Sequence, residues 1–414
     1  MNKIKVYPEQ GRRVFIGLSG GVDSAVSAAL LKQQGYDVTG VFIKVWQPNF
    51  LPCTWREERR DAMRVALALD IPFLFFDFEE EYKKGVADKM IEEYKKGRTP
   101  NPDVLCNREV KFGAFWQKAR EMGADYIATG HYARVVPQNF SSEQSSDIPS
   151  EHGQIFRQKS SATLQTTNYK LQTGTDLNKD QSYFLWTLTQ EDLAHTLFPI
   201  GHLEKKEVRK LAQKFKLPVA EKKDSQGICF VGEVSIEEFL KHFINIRPGN
   251  VLNVEGEVIG RHNGALLYTF GERRGFNVEK KKSNDGAYYV VAKDMKRNTI
   301  TVSNLEKEIN KMSPNKVILK DVNWTRLPTP EAVGRGGQVR EPEGENLEAR
   351  IRYRGEKLKV ESLKWKAGEG GKGRGVSELM VVFPHPIRGL SLGQSIVFYD
   401  GDECLGGAVM DKVV

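Results

Sequence analysis

Cysteine is scarce in this chain and widely scattered: four thiols, at positions 53, 106, 229 and 404, with no Cys-x-x-Cys. That spacing supports neither a zinc knuckle nor a small disulfide scaffold. In a reducing compartment, any thiols that matter work as thiols. Long apolar runs are missing too. Nowhere do eighteen apolar residues follow one another, which excludes a membrane-spanning helix from the pattern. Met1 to Gln10 is charged and lacks the apolar stretch of a secretory signal, so a cytoplasmic protein with no membrane attachment is expected. A strong excess of one charge is also absent. The 62 Lys and Arg against 54 Asp and Glu give +8 and an isoelectric point near 9.0, too modest for a histone-like protein yet permissive of nucleic acid. The 414 residues leave room for two or three domains, each large enough for its own core.

What is present starts with Gly17-Leu18-Ser19-Gly20-Gly21-Val22-Asp23-Ser24. Val14-Phe15-Ile16 before it reads as a buried strand, and Ala25 to Lys32 after it as a helix. A glycine turn between strand and helix lets successive N–H groups point at an anion, with the helix N-terminus adding partial positive charge. The ligand this shape suits is a phosphate chain. A conventional P-loop would need Lys and then Ser or Thr after its glycine, whereas Val22-Asp23-Ser24 stands here. Without that lysine, backbone groups and a magnesium ion are expected to neutralise the phosphates. Ser19 and Ser24 would donate hydrogen bonds, and Asp23 would repel the phosphates unless it holds a cation.

Further along, Val38–Trp46 and Phe73–Phe78 read as strands, Trp55–Leu69 and Glu79–Lys96 as helices, and Tyr126-Ile127-Ala128 as a fourth strand. Strands alternating with helices predict a doubly wound parallel sheet, with ligands at the carboxyl ends of its strands. Arg98 to Asn107 carries Pro100 and Pro102 and reads as a rigid loop, followed by a helix from Glu109 to Met122. Cys106 would then precede a helix start beside Arg108 and Lys111, where a thiol pKa falls. The polar stretch at about 136–170 reads as a surface insertion or irregular hairpin. From 247 onward the helical rhythm gives way to short apolar runs between turns, predicting two small β-barrel domains at 247–312 and 313–414 after a catalytic domain at 1–246. Segments 334–344 and 367–375 are rich in Gly and charge and read as loops.

Taken together, GLSGGVDS, TPNPDVLCN, ATGHY, KDQSYFL, DSQGICF and FYDGDECLGGA resemble, in order and across nearly the whole chain, the bacterial tRNA-specific 2-thiouridylases. These belong to the PP-loop ATP pyrophosphatases, with an adenine-nucleotide-hydrolase-like α/β fold. The resemblance implies that ATP adenylates the C2 oxygen of the wobble uridine in the tRNA anticodon. Sulfur from a cysteine persulfide then displaces AMP and leaves 2-thiouridine. The chemistry is sound: oxide is a poor leaving group from a uracil carbonyl, an adenylate a good one, and a persulfide is ionised and strongly nucleophilic at neutral pH.

By the same resemblance, Gly17 to Ser24 bind ATP, Ile43 contacts adenine and Gly130 lies beside the nucleotide. Cys229 carries the persulfide. Cys106 attacks that persulfide or pairs with Cys229 in a disulfide after transfer. Asn101, Pro102 and Asp103 meet the target base, with Asp103 the acid/base. His131, Lys179, Asp180, Gln181, Arg352, Tyr353 and Gln394 contact tRNA. A cysteine desulfurase or sulfur-relay protein supplies the sulfur. Glu272 stands where the family often has Gln, and Leu392 where Pro is common; a carboxylate at 272 would weaken a phosphate contact unless Arg273 or Arg274 neutralises it. Cys53 and Cys404 read as structural. The basic run Lys205, Lys206, Arg209, Lys210 reads as a solvated helix face or a tRNA-phosphate contact. The alternative is a PP-loop synthetase using a nitrogen nucleophile, which gives Cys106 and Cys229 no work.

Overall fold

The computed structural model describes residues 11–51, 53–138, 168–223, 235–280, 285–326, 347–367 and 376–414. The first unit is built on strands β1 (Arg13–Gly17), β2 (Asp37–Val45), β3 (Phe73–Phe78) and β4 (Tyr126–Ala128), a hairpin of β5 (Ala133–Pro137) and β6 (Tyr169–Thr173), and β7 (Thr196–Leu197). β3, β2, β1, β4 and β7 pair in that order, all parallel. Strand order reverses between β1 and β4, which opens the crevice where such sheets bind ligands.

Helices cover both faces, because βαβ crossovers leave no face of a parallel sheet in water. On one face lie α1 (Val22–Gln33) and α2 (Trp55–Ala68), joined by the helix Lys205–Lys214; their Val26, Val65 and Val208 share a core with Val14, Ile16 and Phe42 of the strands. The other face holds two long helices, each with a widened middle bonded in the i→i+5 pattern. One is α3 (Glu79–Tyr82), Lys83–Asp88 and α4 (Lys89–Lys95); the other is α5 (Pro102–Cys106), Asn107–Ala114 and α6 (Phe115–Glu121). Gly85 lets them meet, since a Cβ there would lie 3.0 Å from Glu109 Cβ. Then come α7 (Gln190–Ala194), α8 (Lys205–Lys214) and α9 (Ile236–Lys241).

Two β units follow. A five-stranded sheet between Gly249 and Ser303 surrounds Val251, Tyr268, Ile300 and Val302. Seven strands between Lys316 and Val413, joined by the β5–β6 hairpin, make a nine-stranded sheet whose core holds Leu319, Leu379, Phe383 and Leu405. The expectation of an α/β unit followed by two β units is met. The hairpin is the addition: β6 pairs with the strand Glu403–Val413, so the last sheet runs on into the first unit. Of the two glycine-rich stretches, 334–344 and 368–375 lie outside the described residues, as does most of the polar insertion. No helix among the described residues is long and apolar enough to cross a membrane.

Candidate active site between the nucleotide cradle and the thiol helix

The cradle grows directly out of β1. Leu18 N–H still donates to Val41 O at 2.8 Å, then the chain turns at Gly20 with φ +74°. A Cβ at Gly20 would sit 2.5 Å from Glu58 O, so only glycine fits between this turn and α2. Gly21 is the N-cap of α1 and brings no side-chain cap, which leaves the first amides of the helix for a ligand. The serine hydroxyls stiffen the loop. Ser24 Oγ accepts from Ser19 N at 3.3 Å and donates to Gly21 O at 3.2 Å, while Ser19 Oγ accepts from Gly21 N at 3.3 Å. Gly130, at the end of β4, packs onto the same helix start, where a Cβ would lie 2.8 Å from Ser24 N. Ile43 borders the cradle's base, its Cδ1 3.9 Å from where a Gly17 Cβ would be.

A lysine distant in sequence reaches the cradle. Lys205, the first residue of α8, places Nζ 2.8 Å from both carboxylate oxygens of Asp23, and Tyr132 Oη donates to Asp23 Oδ1 at 2.8 Å. The Lys205 side chain is 15% exposed and that of Asp23 32%. This corrects the reading of Lys205 as part of a solvated or RNA-facing run. It also resolves the repulsion expected of Asp23: its carboxylate holds a cation, and the cation is an ammonium. Sequence spacing gave no signal for a pair 182 positions apart. Tyr132 lies within the ATGHY motif and could have been noticed there.

The thiol helix begins earlier than expected. Asn101 is its N-cap, Oδ1 accepting from Asp103 N at 3.2 Å and Val104 N at 3.3 Å, and Pro102 occupies the first turn. Cys106 is therefore inside the helix and buried at 3% exposure, not in a loop before a helix at Glu109. Asp103 and Cys106 stand three residues apart on neighbouring positions of one helical face. Farther along, Phe112 approaches the His131 ring at 5.9 Å and Phe115 packs 3.9 Å from the Gly17 Cβ position, so the helix runs past the cradle. Asn107 Nδ2 ties it to Phe184 O at 2.9 Å. Cys229 lies outside the described residues.

Several residues expected to meet tRNA have partners within the fold. His131 is 7% exposed, with Nδ1 2.7 Å from Thr129 Oγ1 and rings of Phe112 and Phe198 around it; burial, with Lys111 nearby, holds its pKa well below the ordinary value. Asp180 is 2% exposed and accepts from Gly174 N, Ser182 N, Ser182 Oγ and Arg350. Gln181 Oε1 accepts from Tyr132 N at 3.0 Å. Gln394 Nε2 donates to Thr99 O at 2.7 Å, and Arg352 Nη2 donates to Phe270 O at 2.7 Å. His131 and Asp180 are thus both buried. Arg352 is exposed, and Lys179 and Tyr353 are half-buried. Glu272 accepts from Thr269 N at 3.0 Å, and burial raises its pKa. Cys53 is exposed, unlike the structural thiol expected, whereas Cys404 is buried.

Comparison with known proteins adds three family descriptions. "tRNA methyl transferase HUP domain" matches residues 12–233, "tRNA methyl transferase PRC-barrel domain" 237–304 and "Aminomethyltransferase beta-barrel domain" 315–410. Among whole proteins, the tRNA-specific 2-thiouridylase MnmA of Bacillus pumilus is 40% identical over 405 residues, covering 97% of this chain and 95% of its own. That of Geobacillus thermodenitrificans is 41% identical over 404 residues, covering 97% and 95%. That of a Shewanella species is 41% identical over 408 residues, covering 98% and 97%.

Proposed function

We propose, from the premise that this chain belongs to the family of tRNA-specific 2-thiouridylases, a course for its reaction in terms of its own residues. The protein is a tRNA-uridine 2-sulfurtransferase carrying out ATP-dependent tRNA thiolation. The observation that carries the reading is the cradle: uncapped amides of α1, a turn that admits only glycine, and Lys205 held against Asp23. ATP supplies the adenylyl group that turns the C2 oxygen of the wobble uridine into a leaving group. The α1 amides and Ser19 bind its phosphates, and Ile43 borders the space for adenine. Lys205 is aimed by Asp23 and Tyr132 and offers its ammonium to the developing pyrophosphate charge.

Magnesium is ordinarily held through one or two carboxylates together with substrate phosphates. Asp23 offers one carboxylate at the cradle, already engaged by Lys205, and no group of three or more His, Cys, Asp or Glu suited to a metal occurs among the described residues. These residues fit an ion brought by the nucleotide, with Asp23 its protein contact.

In the sulfur step, the Cys229 persulfide delivers its outer sulfur to C2 and AMP leaves. Cys106 thiolate then attacks the inner sulfur, the bond between inner and outer sulfur breaks with its electron pair left on the sulfur at C2, and the pair ends as a disulfide that an external thiol must reduce. A desulfurase or relay persulfide reloads Cys229 by thiol exchange. Asp103, one turn before Cys106, moves the proton. The buried thiol at 106 and the helix beside the cradle favour this reading over a nitrogen nucleophile and over the methyl transfer in the family descriptions. Wobble-face contacts are assigned to Asn101, Pro102 and the exposed Arg352, with Lys179 and Tyr353 beside them. Division at 246/247 and 312/313 belongs to the same proposal, and limited proteolysis tests it. Mass spectrometry of tRNA from cells lacking the gene should show loss of 2-thiouridine derivatives. Unchanged levels would overturn the reading, as would a Cys229→Ser protein that keeps full product formation with a nitrogen donor.

A further inference from the structure

Lys293 carries a charge to which the fold gives no counter-ion. Its Nζ donates to a neutral main-chain carbonyl, Tyr268 O, at 2.9 Å, and it forms no ion pair among the described residues. Burial pushes its pKa down to about 8, with the Glu272 carboxylate opposing that fall from a distance. Glu272 is engaged elsewhere, accepting from Thr269 N at 3.0 Å. An ammonium has three N–H donors, and one taken partly out of water with a single carbonyl partner is costly until an anion completes its shell.

Lys293 lines a cavity of about 150 Å³ where all three units meet. Gly97 and Thr99 come from the α/β unit, Thr269 and Lys293 from the five-stranded unit, Ser391 and Leu392 from the last. A Cβ at Gly97, whose φ is +73°, would lie 2.6 Å from Met295 Cγ, so bare main chain forms that wall. Hydroxyls supply the other polar groups. Thr99 Oγ1 lies 3.2 Å from Thr269 Oγ1, and Ser391 Oγ accepts from Phe270 N at 3.1 Å. Lys96 also lines the cavity; its side chain is 60% exposed and pairs with Glu93, so the space opens to solvent.

One ammonium and several hydroxyls around a small open space suit a phosphate group, whose oxygens accept from N–H and O–H alike and return the missing counter-charge. The surroundings favour a phosphate that belongs to a chain. Arg352 is exposed, and its Nη2 donates to Phe270 O, on the cavity wall, at 2.7 Å. Arg273 and Arg274, shortly after Phe270, are exposed as well. A lone anion reaches one such cation, whereas a polyanion spans them all.

We infer that this cavity takes a phosphate of the tRNA backbone, with Lys293 supplying the charge and Thr99 and Thr269 the hydroxyls, so that bound RNA is held at the junction of the three units. This rests on the thiolation reading, which makes tRNA the substrate.

Three variants test it. Lys293→Gln drops the charge and keeps a donor for Tyr268 O, Lys293→Met drops both, and Lys293→Arg keeps the charge. Fluorescence anisotropy gives the tRNA Kd over a series of KCl concentrations, and thermal melting checks the fold. Each phosphate contact contributes about 1 to the slope of log Kd against log salt, so the Gln and Met variants should each lose about 0.7–1 from it. At low salt they should bind about 10-fold more weakly, as expected for a lost hydrogen bond to a charged group. Lys293→Arg should keep the wild-type slope. Slopes equal to wild type in both uncharged variants overturn the subsite, whatever happens to Kd. If Lys293→Met does not fold, Gln against Arg decides. Inorganic phosphate is the second arm: phosphate that stabilises wild type but not Lys293→Gln, while the tRNA slopes coincide, assigns the cavity to the free ion and overturns the RNA assignment. A wild type that binds tRNA yet makes no 2-thiouridine refutes thiolation, and the slopes still judge the subsite. A wild type that does not bind tRNA refutes both.

Discussion

Replacing Lys205 with Met removes the ammonium that holds Asp23 and keeps the hydrocarbon stem. Nζ lies 2.8 Å from each Asp23 oxygen, with the two side chains 15% and 32% exposed. Exposed pairs contribute about 0–1 kcal/mol and breaking buried ones costs about 3–5, so this partly exposed pair should cost on the order of 1–2 kcal/mol of stability. That is a fall of a few degrees in Tm. The loss of rate should be far larger, because an ammonium aimed at phosphate acts when charge develops on the leaving pyrophosphate; removing one such group costs about 100- to 1,000-fold. Pyrophosphate release at saturating ATP and tRNA measures it. Asp23→Asn in the same background separates two roles for the lysine. Because Asp23 is also the proposed metal contact, the reference is Asp23→Asn alone: were Lys205 only a counter-ion for Asp23, the double variant would match that single variant in rate. As a phosphate ligand it leaves the double variant slower still. A Lys205→Met rate within about threefold of wild type, or a double variant no slower than Asp23→Asn, would refute the assignment.

Gly20→Ala should abolish nucleotide binding with little change elsewhere, since a left-handed φ costs a non-glycine residue about 1–2 kcal/mol and the new Cβ collides with Glu58 O; an unchanged ATP Kd would contradict the cradle. Burial pushes the Lys293 ammonium down to about 8. The unfolded chain then binds more protons between that value and roughly 10.4, so stability rises with pH across this window by at most about 1.4 kcal/mol per pH unit. Lys293→Met should lack the rise, and a wild-type-minus-variant difference flat from pH 8 to 10 would count against it. A thiol reagent should modify exposed Cys53 quickly and Cys404 only after unfolding, since Cys404 is 0% exposed and burial pushes its thiol up to about 12. Fast labelling of Cys404, read by peptide mass spectrometry, would be inconsistent with the fold.

Local chemistry was legible in the sequence, and long-range pairing was not. The glycine octet announced strand, turn and helix because only glycine tolerates Gly20's backbone, and the βα alternation announced the parallel sheet. The start of the thiol helix was misplaced because Pro100 and Pro102 suggested a rigid loop. Yet Asn followed by Pro is also an N-cap followed by a first turn, and that role prevails here. Nothing local in Lys205, His131 or Asp180 distinguishes a ligand from a scaffold residue. Their burial is set by elements far away in the chain. The same holds for Thr99, whose partners Thr269 and Gln394 lie 170 and 295 positions distant.

On the proposed course, one nucleotide cleaved in the Gly17–Ser24 cradle accompanies each sulfur delivered by way of Cys229. Purified protein given ATP, unmodified tRNA and a persulfide donor should form AMP and wobble 2-thiouridine in equal amounts, and Cys229→Ser should stop the thionucleoside. Thiolation that proceeds without AMP formation, or that survives loss of Cys229, would contradict it.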